Sequence, residues 1–374
     1  MKILNINSYY FSSSVHKCLQ DALLENQIES ISYVPLAKKY VPRDECKYND
    51  ATNVIMSYCY NNIDRFAFHI KQRKIYYNFQ ELIELNDVKC LHAHSLFSNG
   101  YIPWKIKQRF NLPYIVAVRD TDINVFFKNM IHLRCTGIEI LKKADRVVFL
   151  SKPYRNVLIN RYVPESLREK VYNKSIIIPN GIDSFWLKNK GQKKHLTKEN
   201  KLKILYVGAI NKRKNILSSV RAIEILKKRG YDIKFTIVGK IQDKKIYDRI
   251  KDLPYLIYFQ PVKKEELINI YRENDIFVMP SITETFGLVY AEAMSQGLPV
   301  IYTKGQGFDE HFDEGKVGYG IINCYDEEEI ANKIVNIISN YEAISENCIE
   351  MCDKFDWNQI AQIYINIYNE IVKQ

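Results

Sequence analysis

The sequence lacks several features that mark common protein classes. None of its eight cysteines stands in a Cys-x-x-Cys pair, and the chain is too long for a small domain held together by disulfides. No apolar run is long enough to cross a bilayer as a helix. The first residues, MKILNINSYYF, contain one lysine and soon turn polar, unlike a secretory signal. We therefore expect a cytoplasmic protein with reduced thiols.

Negative charge is scarce in the first half of the chain. Residues 1–180 carry 26 Lys and Arg against 16 Asp and Glu, whereas residues 181–374 carry 28 against 27. A basic half of this kind favours an anionic partner, either nucleic acid or an anionic membrane surface. A nucleic-acid-binding protein would also show a binding motif, or aromatic residues interleaved with basic ones on a sheet face. The sequence shows neither, so we expect no nucleic acid partner. The basic residues would then either attach the protein peripherally to the inner, anionic face of a membrane or form a dispersed, solvated surface.

Short β-rich runs alternate with helical stretches along the chain. KILNIN, VKCLHAH and YIVAVR belong to the first half, and KILYVGAI, KFTIVGK and DIFVMPS belong to the second. This alternation predicts parallel sheets that are covered by helices on both faces. Residues Ser184–Lys201 are polar and rich in lysine, which predicts an exposed connection. We therefore predict two doubly wound α/β domains with a ligand cleft at the carboxyl ends of their strands.

The stretch SITETFGLVYAEAMSQGLPV places two glutamates around the start of a predicted helix. Glu284 lies in the turn after a buried strand, and Glu292 lies two turns into a helix that Gly297 closes. The two glutamates are separated by about two helical turns, and we expect no shared metal or proton. The free N–H groups of a helix start favour a phosphate, and here they belong to Thr285, Phe286, Gly287 and Leu288. The alternative is a helix-terminal charge at Glu284 and a solvated glutamate at Glu292.

This stretch resembles the E-x7-E element of the retaining glycosyltransferases of family 4. The matching residues, in order, are Pro280, Ser281, Glu284, Phe286, Gly287, Leu288, Glu292, Ala293, Met294, Gly297, Pro299 and Val300. The segments IIIPNGID, YVGAINKRKNI and FDWNQIAQIYINIYNEI resemble other parts of the same family. The resemblance implies the GT-B fold, in which two Rossmann-like, doubly wound parallel-sheet domains face a cleft.

The resemblance also implies a domain plan and an activity. Residues 1–180 would form the acceptor-side domain, residues 181–356 would bind the nucleotide sugar, and residues 357–374 would form a helix that crosses back to the first domain. The expected activity is retaining transfer of a sugar from a nucleoside-diphosphate sugar, with UDP the most frequent in the family. The acceptor would be a glycan or a lipid-linked molecule in surface polysaccharide or glycolipid synthesis. Alternatives are a nucleotide-sugar epimerase, a basic nucleic-acid-binding protein and an inactive glycosyltransferase-like protein.

The resemblance assigns roles to residues of the second domain. Glu292 would accept hydrogen bonds from the ribose hydroxyls, Lys214 would pair with the diphosphate as charge develops there, and Glu284 would orient the donor sugar. Donor binding would be completed by Gly208, Arg213 and Glu310, together with the four backbone N–H groups named above. The family usually has an arginine where this chain has Ala209. Neither Lys212 nor Arg213 is at an equivalent position.

The first domain departs from the family pattern in two places. In VRDTDIN, Asp122 matches an aspartate of the family and is a candidate catalytic residue, whereas Arg119 replaces a histidine. Arg119 and Asp120 would either contact sugar or pair with each other. Ser14 stands in the first loop, where the family often has glycines, and would either meet a phosphate or acceptor or cap the following helix.

We expect no metal and no other cofactor. The sequence has no Asp-x-Asp element in a strand-end position of the second domain, and Lys214 can offset the diphosphate charge. The run Asp120–Asp122 is the one exception, because two carboxylates could hold Mg²⁺ or Mn²⁺. His92 and His94 lie two apart on a strand and so share a face, but the spacing shows no further ligands. We expect them to line a loop or the acceptor cleft.

Overall fold

The computed structural model describes residues 1–40, 53–196 and 201–373. The chain divides into two compact units. The first combines Met1–Gly181 with Trp357–Gln374, and the second is Ile182–Asp356. Each unit has its own parallel sheet covered by helices. None of the helices in the described part of the chain has the length and hydrophobicity to span a bilayer.

The first unit is built on a seven-stranded sheet with the strand order β3-β2-β1-β4-β5-β6-β7, and every neighbouring pair is parallel. Its central strand β5 is buried from end to end, and in β4 only Lys89 is exposed, as expected when helices cover both faces. The strand β3 was not predicted, because part of this edge strand is exposed and it lacks a continuous apolar run. The strands are β1 Lys2–Ile6, β2 Glu29–Ala37, β3 Val54–Tyr60, β4 Val88–Ala93, β5 Tyr114–Val118, β6 Arg146–Phe149 and β7 Ser175–Ile177.

Two apolar clusters fill the first unit, one on each face of the sheet. The last helix of the chain belongs to the second cluster, where Trp357 and Tyr368 are buried and the Tyr368 hydroxyl lies 2.8 Å from His92 Nδ1. This helix therefore completes the core of the first unit. The helices are α1 Val15–Glu25, α2 Phe68–Leu82, α3 Leu96–Phe110, α4 Arg134–Lys143, α5 Lys152–Tyr162, α6 Glu165–Asn173 and α14 Trp357–Val372.

The second unit has a six-stranded parallel sheet with the order β10-β9-β8-β11-β12-β13. Its strands are β8 Lys201–Val207, β9 Asp232–Val238, β10 Leu256–Phe259, β11 Ile276–Val278, β12 Val300–Thr303 and β13 Gly318–Ile321. Its helices are α7 Ser184–Lys188, α8 Ile216–Lys228, α9 Lys244–Asp248, α10 Lys264–Glu273, α11 Leu288–Ser295, α12 Glu327–Ser339 and α13 Tyr341–Met351.

The expected exposed connection over Ser184–Lys201 is only partly right, because the described residues of this range are exposed or half-buried except for one. It begins with α7, whose Trp186 is buried and packs edge-to-face on Tyr271 at 5.4 Å. Lys194 Nζ donates to the carbonyl oxygen of Arg272 at the end of α10 (2.7 Å), and burial lowers the pKa of Lys194 to about 8. The lysine-rich composition concealed these contacts, because an aliphatic lysine stem can pack while its ammonium group bonds backbone oxygens. Residues 197–200 lie outside the described residues.

Each sheet has one place where the direction of strand order reverses. It falls between β1 and β4 in the first unit and between β8 and β11 in the second. Ligands of open α/β sheets bind beyond the carboxyl ends of the strands at such a reversal. In the second unit, the loops at this place carry Lys214 and Glu284.

Candidate active site

The loop after β8 fixes the position of Lys214. A short 3₁₀ turn, Lys212–Lys214, is capped by Asn211, whose side-chain oxygen accepts a hydrogen bond from Lys214 N (3.0 Å). The next residue, Asn215, has φ 53° and is buried. Its Nδ2 donates to the carbonyl oxygen of Pro280 (3.1 Å) in the loop after β11. The two loops of the strand-order reversal are therefore tied together directly.

Lys214 and Glu284 form a nearly buried ion pair. Lys214 Nζ donates directly to Glu284 Oε2, and Arg213 Nη1 lies 4.0 Å from Glu284 Oε1. Burial lowers the pKa of Lys214, and the carboxylate of Glu284 partly offsets that effect. A cation held in a site of low polarity acts strongly on an anion that enters it. The pair therefore provides a positioned positive charge whose own counter-ion keeps it in place.

A second loop holds the backbone of Glu284. Gln306 Oε1 accepts a hydrogen bond from Glu284 N (2.9 Å), and Gly307 N donates to Glu284 O (3.0 Å). A Cβ atom on Gly307 would lie 1.9 Å from the carbonyl oxygen of Thr285, so only glycine fits there. Sequence reasoning missed Gln306. The available signal was a polar residue between two glycines directly after a buried strand.

The helix α11 begins where the run LVYAEAMSQG predicts it. Its first residue is Leu288, and Gly287 is the cap with φ 82°, so Thr285 and Phe286 precede the helix. A Cβ atom on Gly287 would lie 2.5 Å from the ring of Tyr290, which together with the positive φ requires glycine. The expected anion-binding N–H groups at the helix start are therefore those of Gly287 and Leu288.

The side chain of Phe286 is a core element. It is buried, and its ring centroid lies 5.5 to 5.6 Å from the rings of His311 and Phe355. Only its backbone can face a ligand. The donor-binding role predicted for Phe286 is therefore restricted to the main chain.

Glu292 lies in a different environment from Glu284. The Tyr271 hydroxyl donates to Glu292 Oε2 (3.2 Å). Burial raises the pKa of Glu292 to about 7, the bond from Tyr271 opposes this rise, and the charge of Asp183 adds to it. The solvated-glutamate alternative is therefore wrong. A half-buried carboxylate of this kind is suited to accept hydrogen bonds from a ligand diol, because such bonds replace the lost hydration.

The glycine loop after β8 gives less support for donor binding than the resemblance implied. A Cβ atom on Gly208 would meet only ordinary contacts, with Met279 Sδ the nearest at 3.5 Å. Ala209 O accepts a bond from the Tyr206 hydroxyl (3.0 Å), which orders the loop without adding charge. Arg213 donates to the carbonyl oxygen of Thr283 (2.8 Å), which brings its guanidinium group to the β11 loop.

Glu310 has no described contact with Lys214 or Glu284. It is exposed and has φ 61°. The neighbouring Asp309 turns back to accept a bond from Gly305 N (2.7 Å). In this loop it is Gln306, rather than Glu310, that contacts the backbone of Glu284. The donor-binding role of Glu310 stays a prediction without structural support.

In the first unit, Asp122 anchors backbone. Its two carboxylate oxygens accept hydrogen bonds from Leu96 N and Phe97 N at the start of α3 (both 3.0 Å) and from Arg119 N (2.9 Å). Burial raises the pKa of Asp122 to about 6, and the three backbone bonds oppose the rise. A carboxylate with this many backbone donors caps a helix and ties two loops together. The geometry favours this positioning role over the predicted catalytic one.

Arg119 and Asp120 do not form the ion pair that was one of the two predicted alternatives. Arg119 Nε donates to the carbonyl oxygen of His94 (3.0 Å). Asp120 Oδ1 accepts bonds from Asn124 Nδ2 (2.6 Å) and from the Tyr154 hydroxyl (3.1 Å). Sugar contact by either residue stays a prediction.

Ser14 stands at the cap position of α1, but its side chain makes no capping hydrogen bond. The neighbouring Ser13 Oγ accepts one from Val15 N instead (3.3 Å). Ser14 is exposed. The capping reading is therefore wrong for Ser14, and contact with a phosphate or an acceptor stays a prediction.

His92 and His94 are buried and stacked, with ring centroids 4.1 Å apart. His92 bonds Tyr368 on α14, and His94 Nε2 lies 3.0 Å from Asn5 Oδ1. Burial lowers the pKa of His92 to about 3. The pair is therefore part of the core, which contradicts the expected cleft position. Across residues 1–40, 53–196 and 201–373, no group of three His, Cys, Asp or Glu side chains converges as metal ligands.

The second unit also resembles known proteins in sequence. Residues 188–355 match the model of the family described as glycosyl transferases group 1. The matched segment lies within the second unit. An uncharacterized glycosyltransferase of Methanocaldococcus jannaschii is 25% identical over 301 residues, which cover 78% of this chain and 78% of that protein. The capsular polysaccharide biosynthesis glycosyltransferase CapM of Staphylococcus aureus is 28% identical over 236 residues, 57% of this chain and 61% of that protein.

Solved structures show the same fold. Sucrose-phosphate synthase from Thermosynechococcus elongatus matches with a TM-score of 0.76 and 18% identity over 99% of both chains. HepE from Anabaena, in complex with UDP and glucose, matches with a TM-score of 0.68 and 16% identity over 99% of this chain and 100% of that one. The predicted GT-B fold of two parallel-sheet α/β domains is confirmed. The comparisons together support glycosyltransferase activity.

Proposed function

We propose that the protein is a retaining glycosyltransferase that uses a UDP-sugar as its donor. The observation that carries the proposal is the ion pair of Lys214 and Glu284 at the strand-order reversal of the second unit, with the half-buried carboxylate of Glu292 on the helix that follows. The pair supplies a fixed cation, and Glu292 supplies an acceptor for a diol. HepE, which shares the fold, is in complex with UDP and glucose.

Different residues of this site bind different parts of the donor. Lys214, aided by Arg213 and the N–H groups of Gly287 and Leu288, holds the diphosphate and stabilises the charge that develops as the sugar leaves. Glu292 accepts hydrogen bonds from the ribose hydroxyls. Glu284 orients the donor sugar and keeps Lys214 in position. No metal is required, because the leaving group is already offset by these donors.

Retention requires the acceptor to attack the face from which the diphosphate departs. The other carboxylate of the site, Glu292, lies on α11 and is bonded to Tyr271 rather than to Glu284, so we assign it no role as an attacking nucleophile. We therefore favour a reaction in which the leaving diphosphate itself takes the proton of the acceptor hydroxyl. The bond from the sugar to the diphosphate breaks, the bond to the acceptor oxygen forms, and the proton moves to the diphosphate.

The acceptor is a glycan or a lipid-linked molecule in surface polysaccharide or glycolipid synthesis. Support comes from CapM, whose name places it in capsular polysaccharide biosynthesis. The basic balance of residues 1–180 suits work at the inner, anionic face of a membrane. The protein would then be cytoplasmic and attached peripherally.

The test has two parts. Thermal shift of the full chain with a panel of nucleoside diphosphates and nucleotide sugars identifies the donor, because a ligand that binds the native state raises its melting temperature. We expect the largest shift with UDP or a UDP-sugar. Glu292→Ala should lose that shift while it retains its fold.

Transfer is then measured as UDP release that depends on an added glycan or lipid acceptor. The anomeric configuration of the product, read by NMR, should equal that of the donor. An inverted product would refute the retaining mechanism. Conversion of the nucleotide sugar without any acceptor would support an epimerase instead.

A further inference from the structure

The outer face of α2 is unusual because it exposes apolar and basic side chains together. The helix buries one face in the core of the first unit, through Gln72, Ile75 and Phe79. Its opposite face exposes Ile70, Arg73, Lys74 and Tyr77. These residues are three or four positions apart, so they form one stripe along the helix.

The stripe continues into the 3₁₀ turn Asn62–Phe66 that precedes the helix. There Ile63 is 73% exposed and Phe66 is 94% exposed. Single exposed apolar side chains are ordinary, whereas four within 15 residues make a patch that calls for an explanation. We name the set Ile63, Phe66, Ile70, Arg73, Lys74 and Tyr77 the α2 patch.

The exposure of the patch is a feature of an ordered segment. Asp64, in the middle of the turn, is buried and accepts bonds from Asn61 N (2.7 Å) and Lys74 Nζ (2.8 Å). The capping box formed by Asn61 and Asp64 holds the start of the turn. Ile63 and Phe66 are therefore directed outward by a turn that is fixed to α2.

The charge of the segment is strongly basic. Residues 62–77 contain four Lys and Arg, one Asp and no Glu, which is a net charge of +3 without counting His69. The patch combines two exposed basic side chains, Arg73 and Lys74, with four exposed apolar or aromatic ones. A helix that lies on a bilayer has this arrangement, since its apolar groups enter the headgroup layer while its basic groups meet lipid phosphates. A protein interface instead separates an apolar core from a charged rim.

We propose that the α2 patch is the surface by which this protein docks onto an anionic lipid bilayer. The inference rests on the proposed function in one respect, namely that the acceptor is lipid-linked, and it assigns the membrane contact to particular side chains. Phe66 and Ile63 would insert, Ile70 and Tyr77 would lie at the headgroup level, and Arg73 would contact phosphate.

The experiment is co-sedimentation of the full chain with vesicles of phosphatidylcholine, with and without phosphatidylglycerol. The variants are Phe66→Ser/Ile70→Ser, which removes apolar contact, and Arg73→Glu, which reverses one charge. Matched controls in the second unit are Ile322→Ser/Tyr325→Ser, where Ile322 is 77% exposed, and Arg249→Glu, also exposed. Lys74 is left intact because it neutralises the buried Asp64.

We expect the wild type to bind the anionic vesicles and to be released by high salt. Each α2 variant should reduce the vesicle partition coefficient about tenfold or more, whereas the controls should keep the wild-type value. Equal partition of Phe66→Ser/Ile70→Ser and the wild type would refute the proposal, as would absence of wild-type binding. An equal loss in the controls would also refute it.

The two proposals can fail separately. UDP binding, followed by thermal shift, should be unchanged in the α2 variants, and their unliganded melting temperatures report that they fold. A chain that binds anionic vesicles through α2 but does not bind UDP would support the docking surface and refute the donor proposal. A chain that binds UDP, but whose vesicle binding is unchanged by the α2 substitutions, would support the donor proposal and refute the docking surface.

Discussion

The burial of Glu292 makes a quantitative prediction about stability. The substitution Glu292→Gln keeps the shape of the side chain and an oxygen to accept the bond from Tyr271, but it removes the charge. The pKa of Glu292 rises from the usual 4.5 to about 7 in the folded protein. Because one pKa unit corresponds to 1.36 kcal/mol, ionised Glu292 lowers the free energy of unfolding by about 3 kcal/mol above pH 7.

The sign of the pH dependence follows from proton binding. Between pH 4.5 and about 7 the folded protein holds a proton on Glu292 that the unfolded chain has released, so stability falls as pH rises through this window. Asp122, with its pKa also raised, adds to the same slope in both proteins. The difference between wild type and Glu292→Gln therefore isolates Glu292. The variant should be more stable at pH 8 and nearly equal at pH 4.5.

Hydrogen exchange of the amides of α11 measures this difference locally, which matters because a two-unit chain need not unfold in one step. The same variant should bind UDP more weakly, since an amide offers the ribose only one acceptor oxygen. Stability and affinity would then change in opposite directions. If Glu292→Gln had the same pH slope as wild type, or were less stable at pH 8, the carboxylate would not be the uncompensated buried charge described above.

The remaining predictions concern turnover. Lys214→Gln should lower kcat about 100-fold, because one positioned donor to the developing charge is lost. Steady-state kinetics at saturating donor test this prediction, and an unchanged kcat would exclude a role for Lys214 in the reaction. Gln306→Ala should lower kcat about fivefold with UDP affinity unchanged, since the Glu284 backbone loses a bond worth about 1 kcal/mol. A change in UDP affinity alone would contradict the positioning role. EDTA should leave the transfer rate unaffected, and activity that is lost to EDTA and restored by Mn²⁺ would refute the metal-free reaction.

Local pattern alone predicted most of the architecture. Buried strands of parallel sheets are short apolar runs, and turns at their ends need glycine or polar residues. The pattern therefore identifies KILYVGAI and DIFVMPS as strands and SITETFG as a turn. The position of Glu284 after a strand and of Glu292 inside a helix followed from this reading. Where these signals weaken, prediction failed. The edge strand β3 is half exposed, and the lysine-rich residues after Ser184 hide a buried Trp186.

The sequence by itself determined which residue types stand at the ends of which strands. Only the tertiary structure decided which of them meet. Lys214 and Glu284 are 70 positions apart and pair because β8 and β11 are neighbours at the strand-order reversal. Gln306 reaches Glu284 from a third strand end, and Asp122 receives three backbone donors from two loops. The pKa of Glu292 likewise depends on what buries it. Ion pairing, backbone satisfaction and desolvation are set by neighbours that are distant in the chain, and no local pattern encodes them.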